Sequence, residues 1–251
     1  MKGTPDFKIN ETDTISNIVA SDFHAAQVFH RHGIEFCCGG NVPLTTACEM
    51  RGLNFSQINS ELHDACSRRY LPGSVQFASW DLDFLTDYIV NVHHQPLRQS
   101  LPAASGFLER FVAGHEKKYP YLPALQETFE KLTVEVLLQF SQEEEIIFPY
   151  IKQIAHAWTG RESYAGLLVR TLRKPIENLM NHELKVVKHS LEQMRTLTNN
   201  YHIPSNACPN HRVTFLTLAE IDQDLMQQFH LESNLLFPKA LKIETELLEL
   251  K

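Results

Sequence analysis

Apolar residues recur at three-and-four spacing through four long stretches, roughly 80–113, 123–155, 168–199 and 211–247, and strand-like alternation is nearly absent. In the third stretch the apolar stripe takes in Leu179, Val186, Leu191 and Met194. Turn material separates the stretches: Gly114 to Pro120, Thr159 to Ser163, and Tyr201 to Pro209. Upstream, shorter helices are predicted at Thr14 to Ala20, Asp22 to His32, Leu44 to Arg51 and Asn54 to Arg68, with Gly33 and Gly52 as stops. Pro72, Gly73 and Ser74 mark a linker over 71–79. The pattern predicts an all-α chain: a small helical N-terminal domain over 1–70, then an antiparallel four-helix bundle over 80–251. Pro96, Pro102 and Pro175 fall in or near helical stretches and predict kinks there.

A repeat sharpens that picture. Gln139-Phe140-Ser141-Gln142-Glu143, followed by Ile146-Ile147-Phe148-Pro149, returns as Gln228-Phe229-His230-Leu231-Glu232, followed by Leu235-Leu236-Phe237-Pro238. Residues four apart share a helix face, so Gln139 stacks on Glu143 and Gln228 on Glu232. Their apolar flanks (Val136, Phe140, Ile147; Leu225, Phe229, Leu236) turn those faces inward. His94 and His182 lie among apolar residues on the other two helices. Four helices thus bring two His, two Glu and two Gln toward one interior layer. Any one of these positions alone reads more simply as a solvated or satisfied polar group. Twofold repetition favours a shared purpose, because buried carboxylates are costly unless paired or bound to a cation. Imidazole and carboxylate together suit iron, manganese or zinc, and spacing does not choose among them.

Composition narrows the alternatives. Lys and Arg number 23 against 30 Asp and Glu, a net charge of −7 without basic runs, which disfavours nucleic acid as partner. Neither a secretory signal nor a continuous apolar stretch of membrane length is visible. The five cysteines form no regular framework, so free thiols in a cytoplasmic setting are expected.

Several segments together resemble the iron–sulfur cluster repair di-iron family, a branch of the hemerythrin-like proteins. The resemblance rests on Gly33-Ile34-Glu35-Phe36-Cys37-Cys38-Gly39-Gly40, on His93-His94 with Arg98 and Leu101-Pro102, and on Glu143 to Pro149. It continues through His182 with Tyr201, Pro204 and Ala207-Cys208, and through Leu231 to Pro238. It implies a hemerythrin-like bundle with a dinuclear non-haem iron site, in a metal-binding repair protein rather than a turnover enzyme. The implied role is restoring iron centres damaged by nitric oxide or oxidants. The implied partners are damaged iron–sulfur proteins or iron recipients, and the implied assembly is a homodimer. By position, His94 and His182 match imidazole ligands, and Glu143 and Glu232 match bridging carboxylates.

Two positions depart from the family pattern. Gln139 and Gln228 stand where it has His, and a neutral amide oxygen is a poorer partner for iron than an imidazole nitrogen. Three readings follow: an iron protein with weakened ligation, a binding or scaffold protein that has lost its metal, or an oxygen or nitric oxide sensor with an open coordination position. His115 matches a His the family often carries near the site and is an auxiliary candidate. Cys37 and Cys38 offer either metal transfer and thiol exchange or simple packing in a Gly-rich turn. Cys48, Cys66 and Cys208 read as small buried hydrophobes, and Glu144 and Glu145 as a solvated face.

Overall fold

The computed structural model describes residues 9–10, 12–22, 24–34, 36, 40, 42–66, 77–162, 165–172 and 176–249; for 20, 27, 30, 165, 168, 171–172 and 176–184 it describes the backbone alone. Cys37, Cys38, Phe23, Pro175 and most of the expected linker lie outside the described residues, as do the side chains of Leu179 and His182. Twelve α-helices follow one another among the described residues: α1 Ile15–Ser21, α2 Ala25–Arg31, α3 Leu44–Arg51, α4 Phe55–Cys66, α5 Leu82–Ile89, α6 Gln95–His115, α7 Leu122–Gln142, α8 Phe148–Thr159, α9 Ala165–Leu172, α10 Ile176–Leu197, α11 Pro209–Leu231 and α12 Phe237–Glu249. The only extended pairing described is a single bridge between Thr14 and Pro43. No described helix is long and apolar enough to cross a membrane.

The chain divides into two compact units. The first comprises Met1–Pro72, Ala103–Leu122 and Tyr201–Ala219; the second comprises Gly73–Pro102, Pro123–Asn200 and Glu220–Lys251. In the first unit, α2 packs on α4 around Ile18, Phe29, Phe36, Leu44, Ile58 and Phe107. Gly52 takes φ +65 as the left-handed cap of α3, donating to the Cys48 and Glu49 carbonyls, which is why the helix stops there. Gly40 is required for a different reason: a Cβ there would lie 2.4 Å from the Phe36 carbonyl oxygen. The Gly40 carbonyl accepts from the Ser16 N–H at 2.8 Å, tying this point of the chain to α1.

In the second unit, α5 packs on α8, and α12 on α8 and α9. Leu85, Ile89, Ile151, Ile154, Leu236, Phe237 and Ala240 fill the space between them. The third long stretch differs from the sequence expectation in its inward face. Val187 is buried with Leu191 and Met194, whereas Val186 is 39% exposed, a shift of one residue in helical phase.

Three of the long helices share a local device. Each contains one π-helical turn, Val90–His94, Glu143–Ile147 and Glu232–Leu236, and each turn begins six residues before a proline (Pro96, Pro149, Pro238). Proline cannot donate to the carbonyl four residues back, and its ring crowds that carbonyl. The wider turn relieves the conflict by moving the preceding N–H one residue further back: Gln95 donates to Val90, Phe148 to Glu143 and Phe237 to Glu232. The extra residue also lets two consecutive side chains face inward, as with His93 and His94, Ile147 and Phe148, and Leu236 and Phe237. Pro102, by contrast, sits inside α6 without interrupting it.

Candidate metal centre

All three π turns carry a residue of one buried polar cluster. His94 closes the first, Glu143 opens the second and Glu232 opens the third. His94 and Glu232 are 0% exposed and Glu143 is 1% exposed. One ligating atom from each lies within 4.8 Å of those of the other two, close enough to share one cation. π turns concentrate at functional sites, and here the first of them turns both His93 and His94 into the apolar interior.

The His94 ring is held from both faces and at its far nitrogen. It stacks on Phe140 with centroids 4.0 Å apart and lies 5.7 Å from the Phe148 ring. Its Nδ1 pairs with Glu144 Oε1 at 2.8 Å, and Arg98 approaches the same oxygen at 3.3 Å. A carboxylate at Nδ1 holds the proton there and leaves the Nε2 lone pair facing the cluster, the tautomer a metal requires. Glu144 is therefore an orienting group for His94, which its place on an expected solvated face did not reveal.

Gln139 and Gln228 join the same layer, 4% and 0% exposed. Each donates an amide N–H to the glutamate one turn on, Gln139 to Glu143 Oε1 and Gln228 to Glu232 Oε1, both at 2.8 Å. Gln228 Nε2 also lies 3.1 Å from His94 Nε2. These bonds satisfy one oxygen of each carboxylate. Gln139 Oε1, Gln228 Oε1, Glu143 Oε2 and Glu232 Oε2 are buried and find no hydrogen-bond donor among the described residues. Glu143 Oε2 comes within 3.2 Å of His94 Nε2 but out of line for a hydrogen bond. A buried layer with four oxygen acceptors and no donor for them is short of positive charge. The Glu232 carboxyl registers that shortage: burial, and then the neighbouring Glu143 carboxylate, push its pKa well above the ordinary 4.5, against the opposing pull of the Gln228 amide.

The donors present are thus one imidazole nitrogen, two carboxylates and two amide oxygens among the described residues. This set fits a hard divalent cation. It lacks the imidazoles at positions 139 and 228 that the family's two-iron pattern calls for.

A second buried histidine has a related arrangement. His93, 1% exposed, pairs through Nδ1 with Asp224 Oδ1 at 2.5 Å, and its Nε2 is buried without a hydrogen-bond partner among the described residues. Asp224 precedes Gln228 by one turn of α11, so spacing places it on the same face, although its pairing with His93 is a tertiary contact. His182 lies on the backbone of α10, its side chain outside the described residues. His115 makes its described contacts within the first unit, where Nε2 is 3.6 Å from Cys208 Sγ and the ring packs against Phe111 and Tyr119. Nearby His211 is buried, and desolvation with the charges of His115, Lys118, Arg212 and His202 lowers its pKa from 6.5 to about 4. Cys48 and Cys66 are buried as expected, and burial pushes the Cys66 thiol up to about 12. Cys208 departs from that expectation: it is only half-buried and accepts from the His211 N–H through sulfur.

The buried His94–Glu143–Glu232 cluster falls within a segment similar to a helical cation-binding domain. Residues 86–240, more than half of the chain, match the hemerythrin HHE cation binding domain, and residues 11–66 match ScdA_N, a domain of unknown function. The chain is 30% identical over 220 residues to the iron–sulfur cluster repair protein YtfE of Musicola paradisiaca, covering 88% of this chain and 92% of that one. It is 27% identical over 227 residues to a probable iron–sulfur cluster repair protein of Haemophilus influenzae, covering 90% and 96% of the two chains. With the ScdA iron–sulfur cluster repair protein of Staphylococcus haemolyticus it shares 25% identity over 231 residues, 92% and 99% of each. The chain belongs to the hemerythrin-like family of iron–sulfur cluster repair proteins.

Proposed function

We propose that this chain is a cytoplasmic non-haem iron protein that supplies iron for the repair of iron–sulfur clusters damaged by nitric oxide or oxidants. On this reading residues 80–251 carry the iron and the 1–70 module, with Cys37 and Cys38, takes part in transfer; 71–79 joins them. His94 Nε2 and oxygens of Glu143 and Glu232 would hold the metal, with the matching position of His182 as a further ligand. Iron here is cargo, and replacing two imidazoles by neutral amides loosens the grip on it, which suits a donor. The observation that carries the reading is the buried His94–Glu143–Glu232 grouping: ligating atoms within 4.8 Å of one another, with one oxygen of each carboxylate unpartnered among the described residues.

The competing reading, a binding or scaffold protein without metal, draws on the two 2.8 Å amide-to-carboxylate bonds, which form part of a self-contained network. Anaerobic iron loading followed by metal analysis separates the two. Bound iron, lost in Glu143→Ala and Glu232→Ala, supports the donor reading. A second arm asks whether the loaded protein reactivates a nitric-oxide-damaged iron–sulfur dehydratase in proportion to the iron it carries. Absence of bound iron in a fully helical protein sinks the donor reading.

A further inference from the structure

Resting on the reading of this layer as a cation site, we infer that it takes one hard divalent cation per chain, of the Fe2+ or Mn2+ class, in an oxygen-rich six-coordinate site. The donor set carries the count, and the spacing is compatible with it. Around a single six-coordinate ion with bonds of about 2.1 Å, neighbouring ligand atoms lie about 3 Å apart and opposite ones about 4.2 Å. His94 Nε2 and Glu143 Oε2 lie 3.2 Å apart, a neighbouring-ligand distance, and a ligating atom of Glu232 falls within 4.8 Å of those of the other two, so the three can reach a shared ion. A pair of cations sits roughly 3.5–4 Å apart and needs terminal donors on each ion beyond the shared carboxylates. At the positions where such donors would stand, the two helices that bear the glutamates contribute neutral amides, too weak to hold a second ion but able to complete the sphere of the first.

Those amides are placed to serve a single ion. In the described arrangement each turns its NH2 to a carboxylate oxygen, leaving Oε1 buried and unpartnered. Rotation of the terminal amide by half a turn exchanges the two atoms, so that a cation held by the carboxylates is met by oxygen instead of N–H. Gln228 gains most from the exchange, because its Nε2 stands between His94 Nε2 and Glu232 Oε1, within 3.1 and 2.8 Å. The charge also balances. Two buried carboxylates neutralise one dication, while Glu144, on the outer side of His94, is matched by Arg98. Among the described residues one nitrogen and four oxygens make a hard set, better suited to Mn2+ or Fe2+ than to thiophilic ions.

The test is the stoichiometry of the full chain. Metal-free protein is titrated anaerobically with Mn2+ and, separately, with Fe2+; bound metal is counted by elemental analysis, and Mn2+ is examined by electron paramagnetic resonance. One ion per chain, with the spectrum of an isolated Mn2+, is the expected result. Two ions per chain, or a spin-coupled manganese pair, would overturn the inference while leaving the iron-donor reading intact. No bound ion of either kind would overturn both. A Gln139→His/Gln228→His variant is expected to raise the count from one to two; a folded double variant that still takes one would overturn the assignment of the count to the amides.

Discussion

Replacing Glu232 by Gln should make the metal-free protein more stable and remove its response to cations. Glu232 is 0% exposed, one oxygen receives the Gln228 amide, and the other meets no donor. Leaving a buried acceptor unsatisfied costs about 1–3 kcal/mol, and more if it is charged. An uncharged amide removes the repulsion from Glu143, and its two N–H groups enter a layer holding three other unpartnered oxygens, those of Gln139, Glu143 and Gln228. A gain of about 1–3 kcal/mol corresponds to roughly 2–10 °C in Tm for a chain of this size. The pH dependence has a definite sign. A carboxyl whose pKa is raised by folding holds a proton in the folded state that the unfolded chain has already released. Wild-type stability therefore falls as pH rises above 4.5, by at most about 1.4 kcal/mol per pH unit from this group, and the variant loses that slope. The assay is thermal unfolding in chelator from pH 5 to 8, repeated with excess Mn2+. Wild type should gain Tm from the ion and Glu232→Gln should not. A variant less stable than wild type in chelator at every pH would refute the picture of a carboxylate held at a cost for its ligand.

Three further outcomes test other parts of the fold. Arg195 forms a two-pronged pair with Asp222, which is 4% exposed, so Arg195→Ala should cost about 2–4 kcal/mol in chemical denaturation, and Arg195→Lys should recover only part of it. His211 is neutral when folded, with its pKa lowered to about 4; it contributes stability above pH 6.5 that is lost as pH falls toward 4, up to about 3 kcal/mol. His211→Phe should flatten stability over that window, measured by denaturant midpoints. Glu144→Gln should weaken cation affinity about 10-fold or more by titration calorimetry with little change in Tm, because it touches His94 Nδ1 and is partly exposed.

Much of this architecture was legible in residue spacing. Val136, Phe140, Ile147, Leu225, Phe229 and Leu236 are all buried, as the repeat implied, and they carry Gln139, Glu143, Gln228 and Glu232 inward with them. Helical periodicity reports which residues share a face, so the layer's membership followed from the chain alone. Other contacts did not follow. Of the prolines expected to kink helices, Pro96 does follow an irregular turn, but a straight helix puts His93 about 100° away from His94, and only the π turn buries both. The Glu144–His94 and Asp224–His93 pairs join residues 50 and 131 positions apart, a relation that helical phase within one segment does not encode.

The sequence by itself determined the helical class, the duplicated Gln and Glu faces, and the family, because these depend on local periodicity and on residue identity. Only the tertiary structure decided what the layer can hold. Whether Glu143 and Glu232 share one cation depends on distances between helices, and whether the Gln oxygens are spent or available depends on which donors surround them. Both are properties of packing, and the result is a site whose unmet acceptors outnumber its donors.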